Sequence, residues 1–130
     1  MCLLESVASW DAVQISCVAK SHRFPDNPLV CGGVLPVEAG IEYAAQGMAI
    51  HGHLSRRESG APKIGYLAVL SKVRWQVERL DDLPGPLQVE ARLLVATEEG
   101  SHYEFCVNHS GNELISGQAV VALAGEGKPG

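Results

Sequence analysis

Aromatic residues make up only 5% of this chain. No stretch approaches the roughly 18 consecutive apolar residues that a membrane span needs. The opening MCLLESVASWDA meets Glu5 and Asp11 before an uninterrupted apolar run forms, so no secretory signal is readable and the cytoplasm is the expected address. Four cysteines, Cys2, Cys17, Cys31 and Cys106, stand far apart without a CxxC pair. That spacing suggests neither a zinc ribbon nor a thioredoxin-type site, and reduced thiols are expected. There is no phosphate-binding glycine loop and no GxSxG elbow, and Gly32-Gly33 alone is too little to mark a nucleotide site. Internal repeats and low-complexity segments are absent. A formal net charge of −5 argues against a nucleic-acid coat, which needs a dense positive surface. Arg56, Arg57, Lys63, Lys72, Arg74 and Arg79 form a loose basic cluster that either greets an acidic partner or is a solvated face. What is present, 46% apolar and 19% charged residues over 130 positions, suits one globular domain that buries a core without staples.

Along the chain, Cys2 to Val7 is apolar, Ser9-Trp10-Asp11 is turn chemistry, and Val13, Ile15, Cys17 and Ala19 alternate with polar neighbours. A hairpin with one buried face is predicted. Ser21 to Leu35 carries two prolines and two glycines without a period, and an irregular loop of that length in a small domain is usually functional. Pro36 suits the first position of a helix, with Glu38 favoured by the helix dipole in its first turn. Ile41, Ala44, Ala45, Met48 and Ala49 extend that helix to about Ile50, with His51-Gly52-His53 ending it. Its many small residues suit a helix enclosed by a sheet. Strands follow over Ile64–Trp75, Leu87–Thr97, His102–Asn108 and Glu113–Leu123, separated by Asp81–Pro86, Glu98-Glu99-Gly100 and Ser110-Gly111-Asn112. The β-β-α-β-β-β-β order predicts an α+β fold, an antiparallel sheet wrapped round one long helix. The domain is expected over residues 1–124, with a frayed tail from 125 to 130.

The chemistry is concentrated in Ser21–Leu54. His22 in the loop and Glu42 in the helix supply an imidazole and a carboxylate, the minimum kit for moving a proton at neutral pH. Each has a structural alternative. His22 could cap a turn, and Glu42 in an otherwise apolar helix is costly to bury unless it is neutralised or paired. Gln46 follows Glu42 at helical spacing and serves either as its hydrogen-bond partner or as a substrate contact. Asn27 braces the loop through its side-chain amide. His51 and His53 lack a third ligand at convincing spacing, so no metal and no cofactor is expected. Ile41, Ala45, Met48, Leu67 and Val69 suit core packing as well as the walls of an acyl tunnel.

His22-Arg23-Phe24-Pro25-Asp26-Asn27-Pro28, then Gly33-Val34-Leu35, then Glu42-Tyr43-Ala44-Ala45-Gln46 resemble the HFPxxP, PGVL and E-A-M-A-Q-like stretches of the hotdog-fold 3-hydroxyacyl-[acyl-carrier-protein] dehydratases. GYLAVLSKVRW and LPGPLQVEARLL resemble that family's sheet strand, Pro-Gly turn and return strand, so the likeness covers nearly the whole chain. SHRxPxNPL with GIEYAAQxMAxHG is similar, more narrowly, to the divergent branch associated with aryl-polyene and fatty-acid-like pathways. Arg23 is inserted between His22 and Phe24-Pro25, the Pro28–Glu42 interval is longer than the family's usual one, and the upstream LPHR-like residues are missing.

The resemblance implies a hotdog fold and dehydration of a 3-hydroxyacyl thioester on acyl carrier protein. His22 would act as base at C2 and Glu42, protonated in an apolar pocket, as acid toward the leaving hydroxyl. Amides at Gly32-Gly33 or the helix start would stabilise the thioester oxyanion, with Gln46 and Asn27 among the substrate-binding residues. It also implies a homodimer, or an oligomer of dimers, in which the His of one subunit faces the carboxylate of the other. The rivals are a hotdog thioesterase, which needs no His22, and an acyl-binding or partner subunit without catalysis.

Overall fold

The computed structural model describes residues 2–56, 63–98 and 100–125. Its order is β1 (Ser6–Trp10), β2 (Gln14–Ala19), a short 3-10 turn (Ser21–Arg23), α1 (Ala39–Arg56), β3 (Lys63–Trp75), β4 (Leu87–Ala96), β5 (Gly100–His109) and β6 (Asn112–Gly125). The strands form one sheet ordered β1-β2-β4-β5-β6-β3, antiparallel throughout. Among the described residues, this six-stranded sheet with a single α-helix is the expected hotdog architecture. Arg57, Glu99 and the tail from 126 onward, which entered the sequence expectations, lie outside the described residues.

Alternation sets which face is buried, because successive strand side chains point to opposite sides. Ile15, Cys17 and Ala19 of β2, Leu87, Val89 and Ala91 of β4, and Tyr103, Phe105 and Val107 of β5 are buried. They meet Tyr43, Ala44 and Met48 of α1 in one core. The small residues of α1 let the sheet come close. A Cβ built on Gly40 would stand 2.7 Å from Ile115 Cγ2, so only glycine fits that contact. Ser110 and Gly111 both have positive φ, 50° and 83°, which gives the tight hairpin between the paired His109 and Asn112.

Three local expectations need correcting. Cys2 to Val7 is not the first strand: Leu3 and Leu4 are buried before it, and β1 itself is exposed along its whole length. The helix begins at Ala39 rather than Pro36, because Pro36 pairs with Arg79 in an isolated bridge and 3-10-type bonds such as Ala39 N–H to Pro36 O (3.0 Å) lead into the first turn. It also runs past His51-Gly52-His53 to Arg56. His51 does not end it because its ring is buried and bonded on both sides, from Nε2 to the Asp11 carbonyl (2.8 Å) and from Nδ1 to the Tyr103 hydroxyl (2.6 Å). The backbone carbonyl only accepts, so Nε2 carries the proton there.

Candidate active site

The loop that carries His22 is fastened to α1 by a one-way chain of hydrogen bonds. The Leu3 carbonyl can only accept, so Ser21 Oγ donates to it (2.7 Å) and in turn accepts from the Tyr43 hydroxyl (2.7 Å). Asn27 Nδ2 donates to both Tyr43 Oη (2.9 Å) and the Ser21 carbonyl (2.9 Å), while its Oδ1 accepts from the Leu29 amide (2.9 Å). Burial pushes the Tyr43 phenol above its ordinary range, against the opposing pull of Ser21 and Asn27. Gln46 Oε1 accepts from the Leu3 amide at 2.8 Å. Asn27 and Gln46 therefore brace the fold, and neither role needs a substrate. Tyr43 was missed as a site residue because it reads as one more apolar position in the helix. Its hydroxyl and Ser21 stand 22 residues apart in sequence.

His22 is 1% exposed. Its Nε2 meets the Leu83 carbonyl at 3.0 Å, which fixes the Nε2–H tautomer, and its Nδ1 is buried with no hydrogen-bond partner. A buried acceptor left unpaired costs about 1–3 kcal/mol, and a catalytic role is one reason for such a group to persist in a fold. Burial lowers the imidazole pKa below its ordinary value, and the charges of Arg23 and His109 push the same way. The Leu83 carbonyl and the Gly85 backbone oppose them. The ring is thus held neutral, the form a base requires.

Glu42 does not share this burial. The expectation of a carboxyl enclosed in an apolar pocket fails in the single chain, where Glu42 is exposed while its neighbours Tyr43 and Ala44 face the sheet. The helical repeat gives the reason, since consecutive residues are turned about 100° apart. His22 spends its hydrogen bond on Leu83, so the chain by itself does not join the imidazole to the carboxylate. Gly32 and Gly33 have φ of 60° and 80° and close an exposed turn between the bridged Cys31 and Val34. A Cβ on either would meet nothing within 4 Å, so this turn lines no enclosed pocket within one chain.

Of the expected tunnel residues, Met48 is core at 2% exposed, whereas Val69 on β3 is 53% exposed. β3 is an edge of the sheet, and Ala68, Val69, Leu70 and Trp75 all face solvent along it. A groove of about 810 Å³ crosses the sheet among Lys72, Arg74, Glu90, Arg92, Glu104 and Phe105. Its charged residues on β4 and β5 alternate with the core-facing ones, so they lie on the face away from α1, and neither His22 nor Glu42 lines it. The basic cluster is partly neutralised, with Arg79 on Asp81 (2.6 Å) and Arg74 near Glu113 (3.9 Å). Arg79 holds the Asp81 carboxyl down at about 2. Among the described residues no group of His, Cys, Asp and Glu could hold a metal ion, and no helix is long and apolar enough to cross a membrane.

With the buried imidazole and the exposed carboxylate in place, the family assignment rests on a profile described as ApeP dehydratase, which matches residues 1–126. The chain belongs to the ApeP-like dehydratase family. Among solved structures, it is similar to the dehydratase heterocomplex ApeI:P from Xenorhabdus doucetiae, at 25% identity and a TM-score of 0.83, covering 95% of this chain and 84% of that one. A Pseudomonas aeruginosa thioesterase variant matches at 12% identity and a TM-score of 0.67, over 92% of this chain and 80% of its own. A Haemophilus influenzae thioesterase gives 10% identity and 0.67, over 94% and 79%. These last two share the hotdog fold with this ApeP-like chain. No curated protein matches it.

Proposed function

We propose that this ApeP-like chain takes part, in the cytoplasm, in dehydrating a 3-hydroxyacyl thioester carried on acyl carrier protein, within fatty-acid or polyene-type lipid synthesis. The observation that carries the reading is the separation of the pair. His22 is buried, neutral and unpaired at Nδ1, while Glu42 stands exposed on the outer side of α1. A buried base and an exposed acid that one chain does not join form a working site when a second hotdog subunit brings its own complement. The apolar edge strand β3 offers the place, because an unpaired strand edge is a ready template for another chain. That second subunit is either another copy or a different hotdog protein, the latter favoured by the ApeI:P heterocomplex.

In the reaction, the imidazole takes the C2 proton as negative charge builds on the thioester carbonyl. A protonated carboxyl delivers a proton to the departing C3 hydroxyl, so water leaves and the trans-2-enoyl thioester remains. Glu42 becomes suited to that role only once a partner covers it, since desolvation is what favours a neutral carboxyl. The amides of Gly32-Gly33 are the candidate donors for the carbonyl oxygen, since those of Ala39, Gly40 and Ile41 at the start of α1 already donate to the Pro36, Val37 and Glu38 carbonyls.

The test mixes the chain, alone and with candidate hotdog partners, with 3-hydroxyacyl and 2-enoyl carrier-protein thioesters, following mass and enoyl absorbance. Gain or loss of water without thioester cleavage, abolished by His22→Ala, is expected. Thioester cleavage that survives His22→Ala would instead establish the thioesterase reading suggested by the structural neighbours. Tight acyl binding without turnover in every mixture would establish a non-catalytic subunit.

A further inference from the structure

Two imidazoles grip consecutive carbonyls of the connection between β3 and β4. His22 Nε2 bonds to Leu83 O, and His109 Nε2, at the end of β5, bonds to Pro84 O. A carbonyl only accepts, so both rings are the Nε2–H donors of these bonds. The segment they hold has few other handles. Pro84 and Pro86 have no N–H, Gly85 between them has a φ of +79°, and the Leu83 amide is spent on Leu80 O (3.2 Å). His109 itself sits on firm ground, paired with Asn112 across the tight Ser110-Gly111 turn.

We propose that His109 is a positioning residue for His22: by holding the Pro84 carbonyl it fixes the adjacent Leu83 carbonyl that receives the His22 Nε2 proton, which leaves Nδ1 as the proton-accepting atom. The catalytic consequence rests on the reading of His22 as base; the orientation of the ring does not. The link is also electrostatic. The charged groups facing His22 are Arg23 on its own turn and His109 across the connection, while Asp81 and Asp82 on that connection are engaged by Arg79 and Tyr43 on α1 is tied to the neighbouring Ser21. A cationic ring at 109 opposes protonation of His22. Without it His22 keeps its proton to higher pH.

The experiment uses the full chain labelled with 15N-histidine, with His109→Gln and His109→Ala beside the wild type, and reads each ring by long-range proton–nitrogen spectra across pH. Wild type is expected to give a single Nε2–H tautomer at His22. His109→Ala should give an averaged tautomer. His109→Gln, which keeps a donor for Pro84 but not the charge, should restore the tautomer while His22 titrates at higher pH. In the assembled dehydratase, His109→Ala should lower kcat on the order of tenfold with KM unchanged, and the acid limb of the pH–rate profile should move to higher pH in His109→Gln, which keeps the Leu83 bond while losing the charge. A His22 tautomer and titration identical to wild type in His109→Ala, with native amide spectra for the β5–β6 hairpin, overturns the proposal. If His22 responds as expected but the wild-type assembly forms no enoyl product, the dehydratase reading fails and the positioning stands.

Discussion

Two glycines on α1 should respond to alanine with opposite signs. At Gly40 the new Cβ would lie 2.7 Å from Ile115 Cγ2 and 3.5 Å from Val107 Cγ2, whereas at Gly47 the nearest contact is Val89 Cγ1 at 3.8 Å. Carbon atoms prefer about 3.5–4.0 Å, so Gly40→Ala overlaps its neighbour and Gly47→Ala makes an ordinary contact. Ile115 cannot yield easily. It is 1% exposed, and turning a β-branched side chain off its rotamer costs about 0.5–1.5 kcal/mol on its own. Overpacking of this kind typically costs about 1–3 kcal/mol. The alanine preference of a helix offsets at most about 1 kcal/mol of it, leaving Gly40→Ala about 1–2 kcal/mol less stable. Gly47→Ala, with no clash, should gain about 0.5–1 kcal/mol. At a urea dependence of about 1–2 kcal/mol per molar, the two midpoints should separate by about 1 M or more. The assay is urea unfolding followed by circular dichroism at one fixed protomer concentration, because association shifts apparent stability. Midpoints that move in the same direction would refute the claim that close approach of sheet and helix, rather than helix propensity, chose glycine at position 40.

Glu42→Gln should leave stability within about 0.5 kcal/mol, since the side chain is exposed, yet lower enoyl formation by about 10²–10⁴-fold in the assembled enzyme; thermal unfolding and the absorbance assay check the two halves. His22 should make the fold acid-sensitive. Its folded pKa is depressed by burial, so below the unfolded value near 6.5 the unfolded state binds the extra proton first and stability falls as pH drops. A His22→Gln variant measured by urea unfolding between about pH 7 and 5 should lose part of that slope. His51→Phe removes the hydrogen bonds to the Asp11 carbonyl and the Tyr103 hydroxyl, and should cost about 1–3 kcal/mol by the same unfolding assay. Cys106, its thiol pushed up to about 11 by burial, and buried Cys17 should alkylate after exposed Cys2 and Cys31, as peptide mass mapping over time would resolve.

Alternation made the sheet legible. Leu87, Val89 and Ala91, or Tyr103, Phe105 and Val107, point one way with polar residues between them, and turn residues marked where each strand stops. Helix ends were less visible. His51-Gly52-His53 has the local chemistry of a terminus, and only the distant Asp11 and Tyr103 make His51 a buried residue that carries the helix onward. The candidate site was half legible. His22 and Glu42 announced themselves by residue type and motif, but their exposure depends on which face of the helix the sheet covers and on a connection 61 residues downstream of His22. Tyr43, Ser21 and His109 gave no sequence signal, because a hydroxyl or imidazole shows its purpose only through the partner that folding delivers.

The edge strand β3 has a consequence for how this protein is handled in the cell. Until that edge is covered, a newly made chain carries an adhesive border, with Val69 and Leu70 bare beside open backbone groups. Orphan copies would be drawn toward inclusion bodies or proteolysis. Where the proposed second subunit is a different hotdog protein, expressing the two chains together should raise soluble yield; where it is another copy, yield should depend on this chain's own concentration.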